Sequence, residues 1–239
     1  MPVLTHLILR AAACLSTAFL MSGCTSSDAR AKDALIAYQA ASAANDVIGA
    51  RQALLRLVRA KDDVPDYWVE LGKLQASTGN FSDAYYAFTR AYELDRSNVD
   101  ILRAVTELAL RSGDIGLAQS HAEELEVLSP GDPWVKLTNG WDAFTQSHFD
   151  EAIADADGIL ANTPYSSPAI VLKARALVSL GREDAAAELL TKQVKAQPSD
   201  QGSLEVLSRI YLRRWDWGNL VPSISRTATA TCWRAVPWP

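Results

Sequence analysis

Cutting the chain at residues 31, 65, 99, 133, 167 and 201 brings like residues into the same columns, with no insertion between cuts. This 34-residue period constrains the fold more than any other feature of the sequence. The twentieth column reads Ala50, Ala84, Ala118, Ala152 and Ala186, then Leu220. The fifteenth reads Asn45, Gly79, Gly113, Ser147, Gly181 and Trp215. The eighth is small in Gly72, Thr106, Gly140, Ala174 and Ser208, with Tyr38 the exception. The thirty-second reads Asp62, Arg96, Pro130, Pro164, Pro198 and Cys232. A fixed period of this kind marks stacked units that each pack only on their neighbours.

The residue types in the columns predict two helices per unit. Small residues in the eighth and twentieth columns let two helices approach closely where they cross. Glycine or asparagine in the fifteenth permits the left-handed backbone that ends the first helix. Asp46, Asn80, Asp114 and Asp216 follow it and are placed to cap the second helix. Proline in the thirty-second column cannot continue a helix, so it sets the turn into the next unit. Between the columns, Trp68, Leu71, Phe81, Phe88 and Leu94 fall at helical spacing.

Segment 65–98 resembles the tetratricopeptide repeat, with Trp68, Leu71, Gly72, Ala84, Phe88 and Ala91 at the signature places and Glu93-Leu94-Asp95 after them. Gln75 stands where an aromatic residue is usual. The resemblance covers 31–221: repeats 65–98, 99–132, 133–166 and 167–200 are clear, 31–64 is degenerate and 201–221 partial. It implies an all-α solenoid of antiparallel helix pairs wound into a right-handed superhelix. A generic alanine-rich bundle would not place glycine and proline in fixed columns.

The two ends depart from the array. Arg10 precedes an apolar run, Ala11 to Met21, closed by Ser22, Gly23 and Cys24, which is the layout of a secretory signal over 1–23. Leu20-Met21-Ser22-Gly23-Cys24 resembles the lipobox of bacterial lipoproteins, with Met21 where leucine is commoner. That resemblance implies cleavage before Cys24, acylation of Cys24 and a short linker over 24–30. Thr25 in place of aspartate implies transport to the outer membrane, facing the periplasm. An ordinary cleaved signal with a cysteine at this place is the alternative reading. At the other end Pro222 falls in the first turn expected for the last second helix, and 222–239 shows no helical apolar period, as an irregular, truncated or altered tail would.

Nothing in the chain assembles chemistry. A formal charge of −5 offers no footprint for nucleic acid. The cysteines, Cys14, Cys24 and Cys232, cannot build a disulfide framework. His6, His121 and His148 have no second ligand at metal spacing, so no metal site is expected. No phosphate-cradling loop is present, and no cofactor or enzymatic activity is expected. Asp150, Glu151, Asp155 and Asp157 read as a solvated helix face.

Binding in such arrays is expected on the face formed by the first helices, where columns 2, 5, 9, 12 and 13 come together. There the repeat 133–166 presents Trp134, Leu137, Trp141 and Phe144, flanked by Arg103, Arg175 and Arg209. Aromatic residues and arginine carry much of the energy at interfaces. The fifth column reads Leu35, Val69, Arg103, Leu137, Val171 and Glu205, so the lysine and asparagine clamp of chaperone-binding members is absent. The expected partner is therefore an apolar or extended segment of another protein, with carboxylate contacts secondary, held by a scaffold anchored in the envelope for pilus or secretion assembly. Polysaccharide synthesis or export is the alternative system. For Trp134 and Trp141 packing between repeats competes with groove binding, because stripes at helical spacing more often belong to a core.

Overall fold

The structure is a computed structural model that describes residues 26–213. The signal segment, Cys24, the cap candidate Asp216 and the tail lie outside the described residues. The chain divides into two compact units, Met1–Arg96 and Ser97–Pro239. The division falls two residues before the repeat boundary at 98 and 99. Among the described residues there are eleven helices and no strand, and no helix is long and apolar enough to cross a membrane.

The first unit holds α1 (Ser27–Ala43), α2 (Val47–Ala60), α3 (Pro65–Ser77) and α4 (Phe81–Leu94). The second holds α5 (Val99–Ser112), α6 (Ile115–Leu128), α7 (Pro133–Thr145), α8 (Phe149–Leu160), α9 (Ser167–Ser179), α10 (Glu183–Ala196) and α11 (Gln201–Arg213). Odd helices open repeats and even helices close them, as the period requires.

The fifteenth column does what its residue types demand. Asn45, Gly79, Gly113, Ser147 and Gly181 have φ of 54°, 78°, 78°, 64° and 73°, so each first helix ends on a left-handed residue. Asp46 and Asp114 then cap, accepting from Gly49 N at 2.9 Å and Leu117 N at 3.0 Å. Asn80 does not. It occupies the capping position of α4 without a side-chain cap bond, and its Nδ2 donates to Thr78 Oγ1 at 2.9 Å instead. The α1 helix begins at Ser27, inside the expected linker, because Ser26 Oγ accepts from Ala29 N at 3.2 Å and supplies a cap.

Helix crossings explain the small columns. All five twentieth-column alanines are buried. A Cβ on Gly72 would come 2.8 Å from the Phe88 ring, and one on Gly140 would come 2.7 Å from Leu172 Cδ2. Tyr38, the large residue in the eighth column, sits on the degenerate repeat, where α1 buries only Ala31 and Ala34. Its hydroxyl donates to Glu70 at 2.9 Å. Phe81 and Leu94 share the helical spacing of the core yet are exposed, because they are the terminal residues of α4.

Within the second unit α5, α7, α9 and α11 touch in succession, while α6, α8 and α10 pack behind them. Two apolar clusters fill the space between these layers. One centres on Leu137, Ala152, Ile159 and Leu172, the other on Ile170, Leu190, Leu204 and Leu207. Burying a leucine such as Leu172 completely contributes roughly 1.5–3 kcal/mol. The row of first helices is thereby held as one surface.

Candidate functional site

That surface carries a groove of about 640 Å³ in the second unit. Trp134, Leu137, Trp141 and Phe144 from α7 line it, with Val171 and Arg175 from α9 and Glu205 from α11. The structure thus brings the four apolar α7 residues and Arg175 together along one groove. Arg209 lines a smaller pocket of about 230 Å³ instead, which it shares with Phe144 and Arg175. Arg103 lines neither pocket.

The position of α7 is set at its N-terminus. Asp132 caps the helix by accepting from Trp134 N at 3.0 Å, and Pro133 occupies the first helical turn, where a missing N–H is harmless. The Asp132 side chain is fully buried and is held by Arg103, whose Nε and Nη2 lie 2.7 and 2.6 Å from Oδ2. Arg103 Nη1 also reaches Asp100 at 2.8 Å. Hydrogen bonding to Asp132 raises the Arg103 pKa above its ordinary value. Arg103 is therefore a tie between α5 and α7 that positions Trp134.

A second aspartate in the same column works the same way at α11. Asp200 Oδ1 accepts from Ser167 Oγ at 2.7 Å and Ser203 N at 3.1 Å. Its Oδ2 accepts from Gln193 Nε2 at 2.9 Å and Ser203 Oγ at 2.8 Å. Burial pushes the Asp200 carboxyl up, but these hydrogen bonds outweigh it and hold the group below its ordinary value. The thirty-fourth column, with Asn98, Asp132 and Asp200 as first-helix caps, escaped the sequence reading. The signal was there, since capping residues recur immediately before a helix start.

The aromatic stripe is both core and wall. Leu137 is buried, whereas Trp134, Trp141 and Phe144 are half-buried and pack against the cluster around it. Trp141 meets Phe144 edge-on with centroids 5.5 Å apart, and Phe144 meets Phe149 at the same distance. Their remaining surface faces the groove. The Arg175 guanidinium lies 5.4 Å from the Trp141 ring centroid, within reach of a cation–π contact.

Among the described residues no cluster of three or more His, Cys, Asp or Glu is placed to hold a metal. His121 is half-buried on α6, where burial lowers its pKa against the opposing charge of Glu124. His148 is exposed at the start of α8, 3.8 Å from Glu151. In the acidic cluster, Asp150, Glu151 and Asp157 are exposed, and Asp157 pairs with Lys173 at 2.6 Å. Asp155 is half-buried, and burial with the nearby Glu151 raises its pKa while Lys136 opposes the shift.

Comparison with known proteins agrees with the helix pairs. A family model described as "Tetratricopeptide repeat" matches residues 39–99. One described as "Psidin, N-terminal TPR repeats region" matches 135–232. These are tetratricopeptide repeats. A TPR protein of Parabacteroides merdae superposes with a TM-score of 0.57 at 18% identity, covering 84% of this chain and 79% of its own. A chain of the APC/C hetero-tetramer Cut9–Hcn1 gives 0.60 at 18% identity, covering 83% of this chain and 39% of its own. A thermophilic TPR protein of Thermus thermophilus gives 0.55 at 16% identity, covering 76% and 99%. Identities this low establish the TPR solenoid fold alone. No curated protein matches the chain in sequence.

Proposed function

We propose that this TPR chain is a non-enzymatic scaffold that holds an extended, apolar segment of a partner protein in the α5–α7–α9–α11 groove. The observation that carries the reading is the aromatic wall of Trp134, Trp141 and Phe144 facing a groove of about 640 Å³. Half-buried aromatic residues on a rigid helical surface offer binding area at little cost in ordering. The scaffold is anchored by acylated Cys24 in the outer membrane, faces the periplasm, and supports assembly of a pilus or secretion complex. The lipobox-like Leu20–Cys24 stretch and the repeat architecture support this placement.

Crosslinking in the envelope, followed by identification of the captured protein, tests the system. Pilus or secretion subunits support it, whereas glycosyltransferases or export components shift the scaffold to polysaccharide synthesis. Membrane retention of a Cys24→Ser variant would rule out the lipid anchor. Trp141→Ala tests the groove, since unchanged partner binding per folded molecule would remove it.

A further inference from the structure

Three arginines flank the aromatic stripe, and the structure separates them. Arg103 is committed to Asp132 and Asp100. Arg209 is paired with Glu205 at 2.7 Å. Arg111, which also lines the groove, is paired with Glu107 at 3.0 Å. Each of these arginines has an acid three or four residues away on its own helix, the spacing at which helical side chains meet. Arg175 has no such neighbour, because the residues three and four away are Leu172, Val178, Val171 and Ser179. Among the described residues it makes no ion pair, and its buried Nε has no hydrogen-bond partner.

The remaining acid of the groove, Asp200, is already engaged by Ser167, Gln193 and Ser203. Among the described residues of the groove, Arg175 is thus the cation without an ion pair, while the Asp200 charge is already stabilised by neutral donors. Arg175 lies against Trp141 and lines both the large groove and the smaller pocket beside Val178, Val206 and Ile210. A guanidinium lying over an aromatic face is held in orientation while its two terminal nitrogens, Nη1 and Nη2, stay free for a carboxylate. Apolar surroundings strengthen that bond.

We infer that Arg175 is the anion-recognition point of this groove, and that the partner segment is acidic as well as apolar. An aromatic or aliphatic side chain lies along Trp134 and Trp141, and a nearby Asp or Glu carboxylate pairs with Arg175. This assignment rests on the groove reading above and gives it a polarity. The lysine and asparagine clamp is not needed, because one stacked arginine supplies the fork.

The test uses the purified full-length chain and an array of acetylated, amidated decapeptides. Each carries a central Phe or Leu, with Glu, Gln or Lys walked through the other positions. Peptides tiled over 214–239 of this chain are included. Fluorescence anisotropy of the best binder then compares its Glu and Gln versions. The wild type is expected to prefer the Glu version by about tenfold. Arg175→Gln is expected to bind both versions alike, at the wild-type affinity for the Gln peptide, and Arg175→Lys to keep part of the preference. Circular dichroism melts confirm that each variant is folded. A preference that survives in Arg175→Gln, or a wild type favouring Gln or Lys, overturns the assignment and leaves the groove standing. Tightest binding by the 214–239 peptides overturns an external partner. If no peptide binds, the groove and Arg175 fall together.

Discussion

Trp68 in the first unit and Trp141 in the second each lie near an arginine, but the two pairs are finished differently. Trp68 is 9% exposed, and its Nε1 donates to Asp62 O at 2.9 Å. Tyr86 meets it edge-on at 6.0 Å, and the Arg90 guanidinium is 6.0 Å from its ring. Arg90 in turn is paired with Glu93, three residues along α4. Trp141 stays half-buried, and Arg175 beside it has no acid at that spacing. One Trp–Arg pair is closed by its own helix and the other is left open. A residue pair is therefore not a site by its identity; what matters is whether its bonding capacity has already been used.

The largest difference should appear when each tryptophan is truncated. Trp68→Ala is expected to cost about 3–5 kcal/mol, as for a buried aromatic side chain. Trp141→Ala should cost about 1–2 kcal/mol, because its half-buried side chain gives up less packing. Denaturant melts measure both. Binding per folded molecule should fall only for Trp141→Ala. Equal destabilisation with binding intact in both would make Trp141 a core residue like Trp68 and end the contrast.

Removing the tie that aims α7 comes next. Arg103→Met leaves the fully buried Asp132 carboxylate without its cation, which should cost about 3 kcal/mol. Peptide affinity should drop with it, since Trp134 then loses its fixed helix start. A stability loss under about 1 kcal/mol would show that Arg103 behaves as an ordinary surface charge, and the positioning role would be lost.

How much of this was legible follows from which interactions are local. The fifteenth column told the left-handed residues where it holds glycine or asparagine, because their residue type permits that backbone, and Ser147 takes the same conformation without being either. That Trp134, Leu137, Trp141 and Phe144 share one face of α7 is likewise local, following from 3.6 residues per turn. The capping roles of Asp132 and Asp200 are local, but their ties to Arg103 and Ser167 span 29 and 33 residues, and only folding brings those together. Gln75 shows the opposite limit. It replaces the usual aromatic residue, and the structure buries it at 4% exposure with Oε1 unpartnered. For Arg209 and Arg175 the spacing alone separates the two, since Glu205 lies four residues from Arg209 while Arg175 has only Leu, Val and Ser there, whereas the tie of Arg103 to Asp132 appears only in the fold.

Asp200 brings pH into the comparison. Its carboxyl is held below the ordinary value in the fold, so the folded state takes up its proton at lower pH than the unfolded chain does. Its contribution is therefore complete above the ordinary aspartate pKa of about 4 and is lost as pH falls through the depressed folded value. Asp200→Ala should cost about 2 kcal/mol at neutral pH through the lost cap and hydrogen bonds. That difference should shrink in acid. Melts of wild type and variant at neutral pH and near pH 3 check it, and a gap that widens in acid would mean that the Asp200 carboxyl is raised rather than lowered in the fold.

The smallest expected effect on stability discriminates most sharply between the two tryptophan pairs. Arg90→Gln removes an ion pair with Glu93 at a partly exposed site, together with its contact to Trp68. About 0.5–1 kcal/mol should be lost. Arg175→Gln removes a cation–π contact of similar worth, but it also removes a buried donor that had no partner. Leaving such a donor unpaired itself costs roughly 1–3 kcal/mol, so the variant should match the wild type or exceed it slightly. A stability gain accompanied by lost acidic-peptide preference is what a residue kept for binding would show. A loss equal to that of Arg90→Gln would mean that Arg175 has a structural partner after all, and the two pairs would then be the same device used twice.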